Sequence, residues 1–263
     1  MRALSVIILL AVLVLPFGCA FVSPPIDTSA EDLQTLHTQA AQGDAKAQVN
    51  LGLLYVNGQG VPQDYIQARQ WWEKAAAQGH AKAQYDLGAI YYYGHGVPMD
   101  YTTARQWFEK SAAQGDADAQ TNLGVLYDQG YGVPQDYATA RGWYEKAAAQ
   151  GNGMAQNNLG VLYVYGNGVP PDYTTARQWF EKAAAQGVVW AQFRLGEMYL
   201  YGVGGLPENL VQAHLWLSMA VTQGNNLSRV MRDEVVAMKM TPAQIAEAQR
   251  LARQCQAQRF KGC

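Results

Sequence analysis

The stretch from Asp44 to Gly79 reads DAKAQVNLGLLYVNGQGVPQDYIQARQWWEKAAAQG. Ala47, Leu51 and Tyr55 recur at i, i+4 and i+8, which puts them on one helix face. Asp44, just ahead of this run, can accept the free N–H groups of a helix start. Gly58 and Gly60 stop the helix, because glycine tolerates the left-handed conformation of a C-terminal cap. Pro62 cannot continue it. Asp64 then caps a second helix from Tyr65 to about Gln78, with Tyr65, Ala68, Trp72 and Ala75 or Ala76 as its apolar stripe. Gly79 ends it. The stretch is a helical hairpin.

The same hairpin is written five times. Gly43, Gly79, Gly115, Gly151 and Gly187 follow a step of 36 residues, as do Gly52, Gly88, Gly124, Gly160 and Gly196, and Tyr55, Tyr91, Tyr127, Tyr163 and Tyr199. Val61-Pro62 returns as Val97-Pro98, Val133-Pro134 and Val169-Pro170. In the fifth copy Gly205 adds one residue and the proline becomes Pro207. Gly52 and its equivalents lie inside the first helix, where glycine costs about 0.8–1.0 kcal/mol relative to alanine. Their recurrence implies an approach too close for a side chain. Trp72, Phe108, Tyr144, Phe180 and Trp216 are expected to fill the space between hairpins.

The copies span 44–79, 80–115, 116–151, 152–187 and 188–224. Both ends read as caps, which a stack of repeats needs to cover its terminal core. Residues 31–43 resemble a second helix without its partner. Over 225–263, Ser228 to Met240 reads as an amphipathic helix. Thr241-Pro242-Ala243-Gln244 opens another with a capping box.

The first twenty residues read as an export signal. Met1-Arg2 is followed by the apolar run Ala3 to Leu15, shorter than the roughly 20 residues of a membrane span. Two processing routes are open. Gly18 and Ala20 form a small-x-small site for cleavage after Ala20. Alternatively, Leu15-Pro16-Phe17-Gly18-Cys19 resembles a bacterial lipobox, with Pro16 and Phe17 departing from that pattern, and Cys19 would be lipidated. Residues 21–30, with Pro24-Pro25, read as an extended tether. Beyond the signal the cysteines are Cys255 and Cys263, and an exported chain favours a disulfide between them. A continuous helix would hold them about 12 Å apart. Lys261-Gly262 supplies the turn that such a bond requires.

Ala47-Gln48, Leu51-Gly52, Tyr55, Gly58-x-Gly60-Val61-Pro62, Asp64-Tyr65, Ala68, Trp72 and Ala75-Ala76-Ala77-Gln78-Gly79 together resemble the Sel1-like repeat, a relative of the tetratricopeptide repeat. The resemblance covers 31–263. It implies an all-α fold, an α-solenoid of stacked antiparallel hairpins wound as a right-handed superhelix. It also implies a scaffold or adaptor for protein complexes, often in bacterial envelopes.

Comparison between copies marks where a partner would bind. Six positions of the first helix vary: those of Lys46, Val49, Asn50, Leu53, Val56 and Asn57. Their spacing forms one stripe, which stacked first helices would turn towards a concave groove. Tyr85, Tyr92, Tyr93, Tyr165, Trp190, Phe193 and Tyr201 are the candidate anchors, aromatics being frequent binding hot spots.

Composition limits the alternatives. Charged residues are 15% of the chain and the formal net charge is -2, which argues against a nucleic-acid partner. His37, His80, His95 and His214 occupy unrelated repeat positions without metal-ligand spacing. No G-x-S-x-G or H-E-x-x-H motif occurs. The Gly-x-Gly pairs follow helices rather than strands, unlike phosphate loops. The expectation is a non-enzymatic, cofactor-free, monomeric protein in the periplasm or on the envelope, with a protein or peptide partner. It would meet the membrane only through a lipid anchor. A secreted or surface effector or sensor, binding a host or peptidoglycan-linked partner, is the alternative. Some cysteine-rich Sel1-like proteins are linked to penicillin binding and β-lactam hydrolysis. The present chain lacks their cysteine pairs within the repeats and has no S-x-x-K.

Overall fold

The computed structural model describes residues 30–258 and Phe260. The export signal, most of the tether, Cys19 and Cys263 lie outside the described residues. Within them the chain forms thirteen α-helices and no strand. They fall into two compact units, with the boundary between Asp136 and Tyr137, inside the third hairpin.

The first unit holds α1 (Ala30–Ala41), α2 (Ala45–Asn57), α3 (Tyr65–Ala77), α4 (Ala81–Tyr93), α5 (Tyr101–Ala112) and α6 (Ala117–Gln129). Each helix packs on the next in chain order. The second unit holds α7 (Tyr137–Ala149), α8 (Gly153–Tyr165), α9 (Tyr173–Ala184), α10 (Val189–Tyr201), α11 (Leu210–Thr222), α12 (Asn226–Val230) and α13 (Pro242–Ala257). Here α7 to α12 also pack in sequence, and α13 lies along α11. Both units are therefore stacks of helix pairs.

The expected caps form. Asp44 accepts from the Ala47 N–H, and Asp64 accepts from Ile66 and Gln67. Gly58 closes α2 in the left-handed region, at φ 65°. His80 and Val188 stand at two helix starts without a side-chain cap bond. The Thr241–Gln244 capping box is complete, with Pro242 in the first turn.

Gly52, Gly88, Gly160 and Gly196 each face a side chain on the second helix of their hairpin. A β-carbon at Gly88 would lie 2.6 Å from the Phe108 ring. Trp72, Phe108, Tyr144 and Phe180 are fully buried. Truncating such a residue to alanine costs about 3–5 kcal/mol. In the fifth copy the side chain against Gly196 is Leu217, not Trp216. The extra residue Gly205 shifts the register by one, so Trp216 corresponds to Trp71, Trp107, Trp143 and Trp179.

A relay of one exposed and one buried glutamine joins the two helices of a hairpin and reaches back to the preceding helix. Gln78 donates to the Gln48 side-chain oxygen at 2.9 Å, and Gln48 donates to the Ala40 carbonyl at 3.0 Å. In the second unit Gln186 donates to Gln156 at 2.8 Å, and Gln223 to Gln192 at 3.0 Å. These bonds satisfy amides that would otherwise destabilise the core.

The segment after α11 departs from the expected helix over 228–240. It breaks into α12, a π turn from Met231 to Val236 and a 3-10 turn from Ala237 to Lys239. The wider i→i+5 winding turns Met231 and Val236 to one side. Both are buried there with Phe193, Leu200 and Leu217.

Candidate functional site

The variable positions of the first helices do not share one environment. The Val49 position holds Tyr85, Thr121, Asn157 and Phe193 in later copies, and every one of these side chains is buried. The Val56 position is buried in four copies, through Val56, Tyr92, Asp128 and Leu200. The Asn57 position, the last residue of each first helix, holds Tyr93, Gln129, Tyr165 and Tyr201, all half-buried.

The seven candidate anchors therefore divide. Tyr85, Tyr92 and Phe193 lie in the core rather than on an open wall, and this corrects their expected role. Tyr85 packs on Phe108 with ring centroids 5.8 Å apart. Tyr92 meets Tyr93 at 4.8 Å and Tyr101 at 5.3 Å. Phe193 is 1% exposed and meets Trp190 edge-on at 5.8 Å. Variation between copies reflects, at these positions, how each hairpin fills its own interior.

Tyr93 in the first unit and Tyr165, Trp190 and Tyr201 in the second keep partly exposed rings. The Tyr165 hydroxyl is shielded from solvent and has no hydrogen-bond partner, and the same holds for Oδ1 of Asn157 on α8. On α10 Arg194 pairs with Glu197 at 2.8 Å. Burial raises the Glu197 carboxyl above its ordinary range, opposed by Arg194. Burial, and then the Glu197 charge, raise the Tyr201 phenol. The phenol thus stays protonated and can donate a hydrogen bond at neutral pH.

Sequence reading also passed over buried acids. Asp86 is fully buried on α4, and Lys82 bonds Oδ1 at 2.7 Å. Burial, partly offset by Lys82, pushes its pKa up to about 6. The signal was present in the sequence: Asp86 stands where other copies carry Asn50, Asn122 and Asn158.

The opposite face follows a regular pattern. Lys74, Lys110, Lys146 and Lys182 sit over Trp71, Trp107, Trp143 and Trp179 at 3.9–4.3 Å. Four Arg–Glu pairs, from Arg69–Glu73 to Arg177–Glu181, run beside them. Exposed pairs of this kind contribute about 0.3–0.5 kcal/mol each.

Among the described residues no group of three or more His, Cys, Asp or Glu side chains is placed to hold a metal ion. No described helix is long and apolar enough to cross a membrane. Cys255 is buried on α13.

A family model described as Sel1 repeat matches residues 45–80, 81–116, 117–152, 153–188 and 191–225. Among solved structures, the chain is similar to a Sel1 repeat protein from Oxalobacter formigenes, with 31% identity and a TM-score of 0.73, covering 84% of this chain and 90% of that one. It is also similar to c5321, a protective antigen present in uropathogenic Escherichia coli strains. That match has 32% identity and a TM-score of 0.57, and covers 88% of this chain and 58% of that one. A Sel1 repeat protein from Klebsiella pneumoniae subsp. pneumoniae matches with 26% identity and a TM-score of 0.52, covering 77% of this chain and 98% of that one. No curated protein matches.

Proposed function

The chain belongs to the Sel1 repeat family, whose members are generally protein-interaction scaffolds, and from that premise we propose that it is a monomeric scaffold of the bacterial cell envelope. A protein or peptide partner would lie against the first helices of the hairpins. Tyr165, Trp190 and Tyr201 are the anchors of the second unit, and Tyr93 is that of the first. The observation that carries this reading is the pair of tyrosines at the last residues of α8 and α10 in the second unit, a position that Tyr93 repeats on α4 of the first. Each ring is partly exposed on a helix packed against the second helix of its hairpin. Partly exposed aromatics cost little entropy to fix and offer large apolar area.

Affinity purification of the full chain from its native cells tests the reading. Tyr165→Ala with Tyr201→Ala should deplete one co-purifying protein, while Gln178→Ala on the exposed side of α9 should not. Equal recovery with both variants contradicts it.

Placement in the envelope rests on the Met1–Ala20 signal. Mass analysis of the mature N-terminus separates lipidation at Cys19 from cleavage after Ala20. The first predicts a membrane-tethered protein and the second a free one. The protective-antigen relative favours display at the cell surface, where a host or peptidoglycan-linked partner would be met. We further propose a Cys255–Cys263 disulfide, supported by the oxidising compartment to which export would lead. Intact mass after alkylation without reductant should leave both cysteines unmodified.

A further inference from the structure

The fifth hairpin departs from the other four at two neighbouring places. Once the Gly205 insertion is allowed for, the Arg69–Glu73 pair and its three equivalents are replaced by His214 and Ser218. The chain then folds the π turn and α13 over this spot. The result is a cleft of about 350 Å³, lined by His214, Ser218, Thr222, Arg232, Asp233, Gln249, Arg253 and Gln256, with Met219, Ile245 and Ala252 as its apolar part.

The polar lining is rich in donors. His214 is 4% exposed, and its Nδ1 meets the Ser218 hydroxyl at 3.3 Å. Burial, and then the Arg232 charge, hold His214 below its ordinary pKa, so it is neutral at pH 7. The cleft's one carboxylate, Asp233, is engaged at both oxygens by Arg232, at 2.7 and 3.2 Å. Arg253 has no carboxylate partner among the described residues. The pair's replacement by His214 and Ser218 puts an imidazole and a hydroxyl, and no carboxylate, beside Arg253.

We propose that this cleft binds a carboxylate carried on a short apolar stem. Arg253 grips the carboxylate, and Met219, Ile245 and Ala252 take the stem. Planar, paired N–H groups make arginine suited to a carboxylate. A free small acid and the C-terminal residue of a peptide share this chemistry. The site is separate from the tyrosine face, and neither reading depends on the other.

Titration of the full chain with N-acetyl-leucine, followed by the His214 ring signals in NMR spectra, tests the proposal. Saturable shifts at His214 are expected, with N-acetyl-leucinamide binding at least about tenfold more weakly. Arg253→Gln should weaken binding to a similar extent without lowering Tm, since Arg253 is exposed. Arg250→Gln, whose side chain pairs with Glu247 outside the cleft, should leave binding unchanged. A peptide ending in leucine that binds more tightly than N-acetyl-leucine identifies a chain terminus as the source, and equal binding identifies a free acid. The proposal is overturned if the amide binds as well as the acid, if inorganic phosphate competes equally, or if Arg250→Gln weakens binding as much as Arg253→Gln. Absence of saturation at millimolar concentrations also overturns it.

Discussion

A β-carbon built on Gly160 would lie 2.5 Å from Cε1 of Phe180, on the helix that closes the same hairpin. Two opposing effects act on Gly160→Ala. Alanine gains up to about 1 kcal/mol of helix propensity. The Phe180 ring is fully buried and cannot yield without disturbing its neighbours, and such overpacking costs about 1–3 kcal/mol. The clash wins, and Gly160→Ala should lower thermal stability. Gly142, inside α7, has no atom within 4 Å of its would-be β-carbon. Gly142→Ala should therefore raise stability by about 0.5–1 kcal/mol. Differential scanning calorimetry of both variants checks the opposite signs.

Asp86 gives a pH signature. Its pKa is raised by burial from 3.8 to about 6 in the folded state. An acid with a higher pKa when folded favours folding in its protonated form. Its contribution is thus best below about pH 4 and is lost as pH climbs through about 6. Asp86→Asn removes the penalty and should stabilise the protein at pH 7 by about 1–3 kcal/mol, each pKa unit being worth ~1.4 kcal/mol. At about pH 4 the two proteins should converge. Urea unfolding at both pH values measures this, and a variant less stable than wild type at pH 7 contradicts it.

Gln156 links two hairpins of the second unit, receiving from Gln186 at 2.8 Å and donating to the Ala148 carbonyl at 3.4 Å. Gln156→Ala removes both bonds of a buried side chain, each worth about 0.5–1.5 kcal/mol, and should cost about 1–3 kcal/mol. Gln178→Ala, on an exposed surface, should stay within about 0.5 kcal/mol of wild type. Chemical denaturation at pH 7 compares them directly.

The hairpin plan was legible because its punctuation is local. Asp44, Asp64, Gly58 and Pro62 each act through their own backbone neighbourhood, and the 36-residue step multiplies the signal. The Gly52 series also disclosed a close approach, although its partner ring was visible only in the structure. What sequence comparison could not separate was variation from exposure. Tyr85, Tyr92 and Phe193 differ from their counterparts and are nevertheless buried, because each hairpin interior is filled independently. Trp216 lies one residue out of register with Trp72, since a single insertion at Gly205 moves the whole following helix. The cleft around His214 depends on a chain turn with i→i+5 winding, which has no simple sequence period.

The most direct test of the scaffold reading is a photo-crosslinking amino acid placed at Tyr165 or at Gln178 of the full chain in its native cells. A partner seated on the first helices predicts one dominant adduct from Tyr165 and none of that mass from Gln178. The same adduct from both positions, or from Gln178 alone, would contradict it.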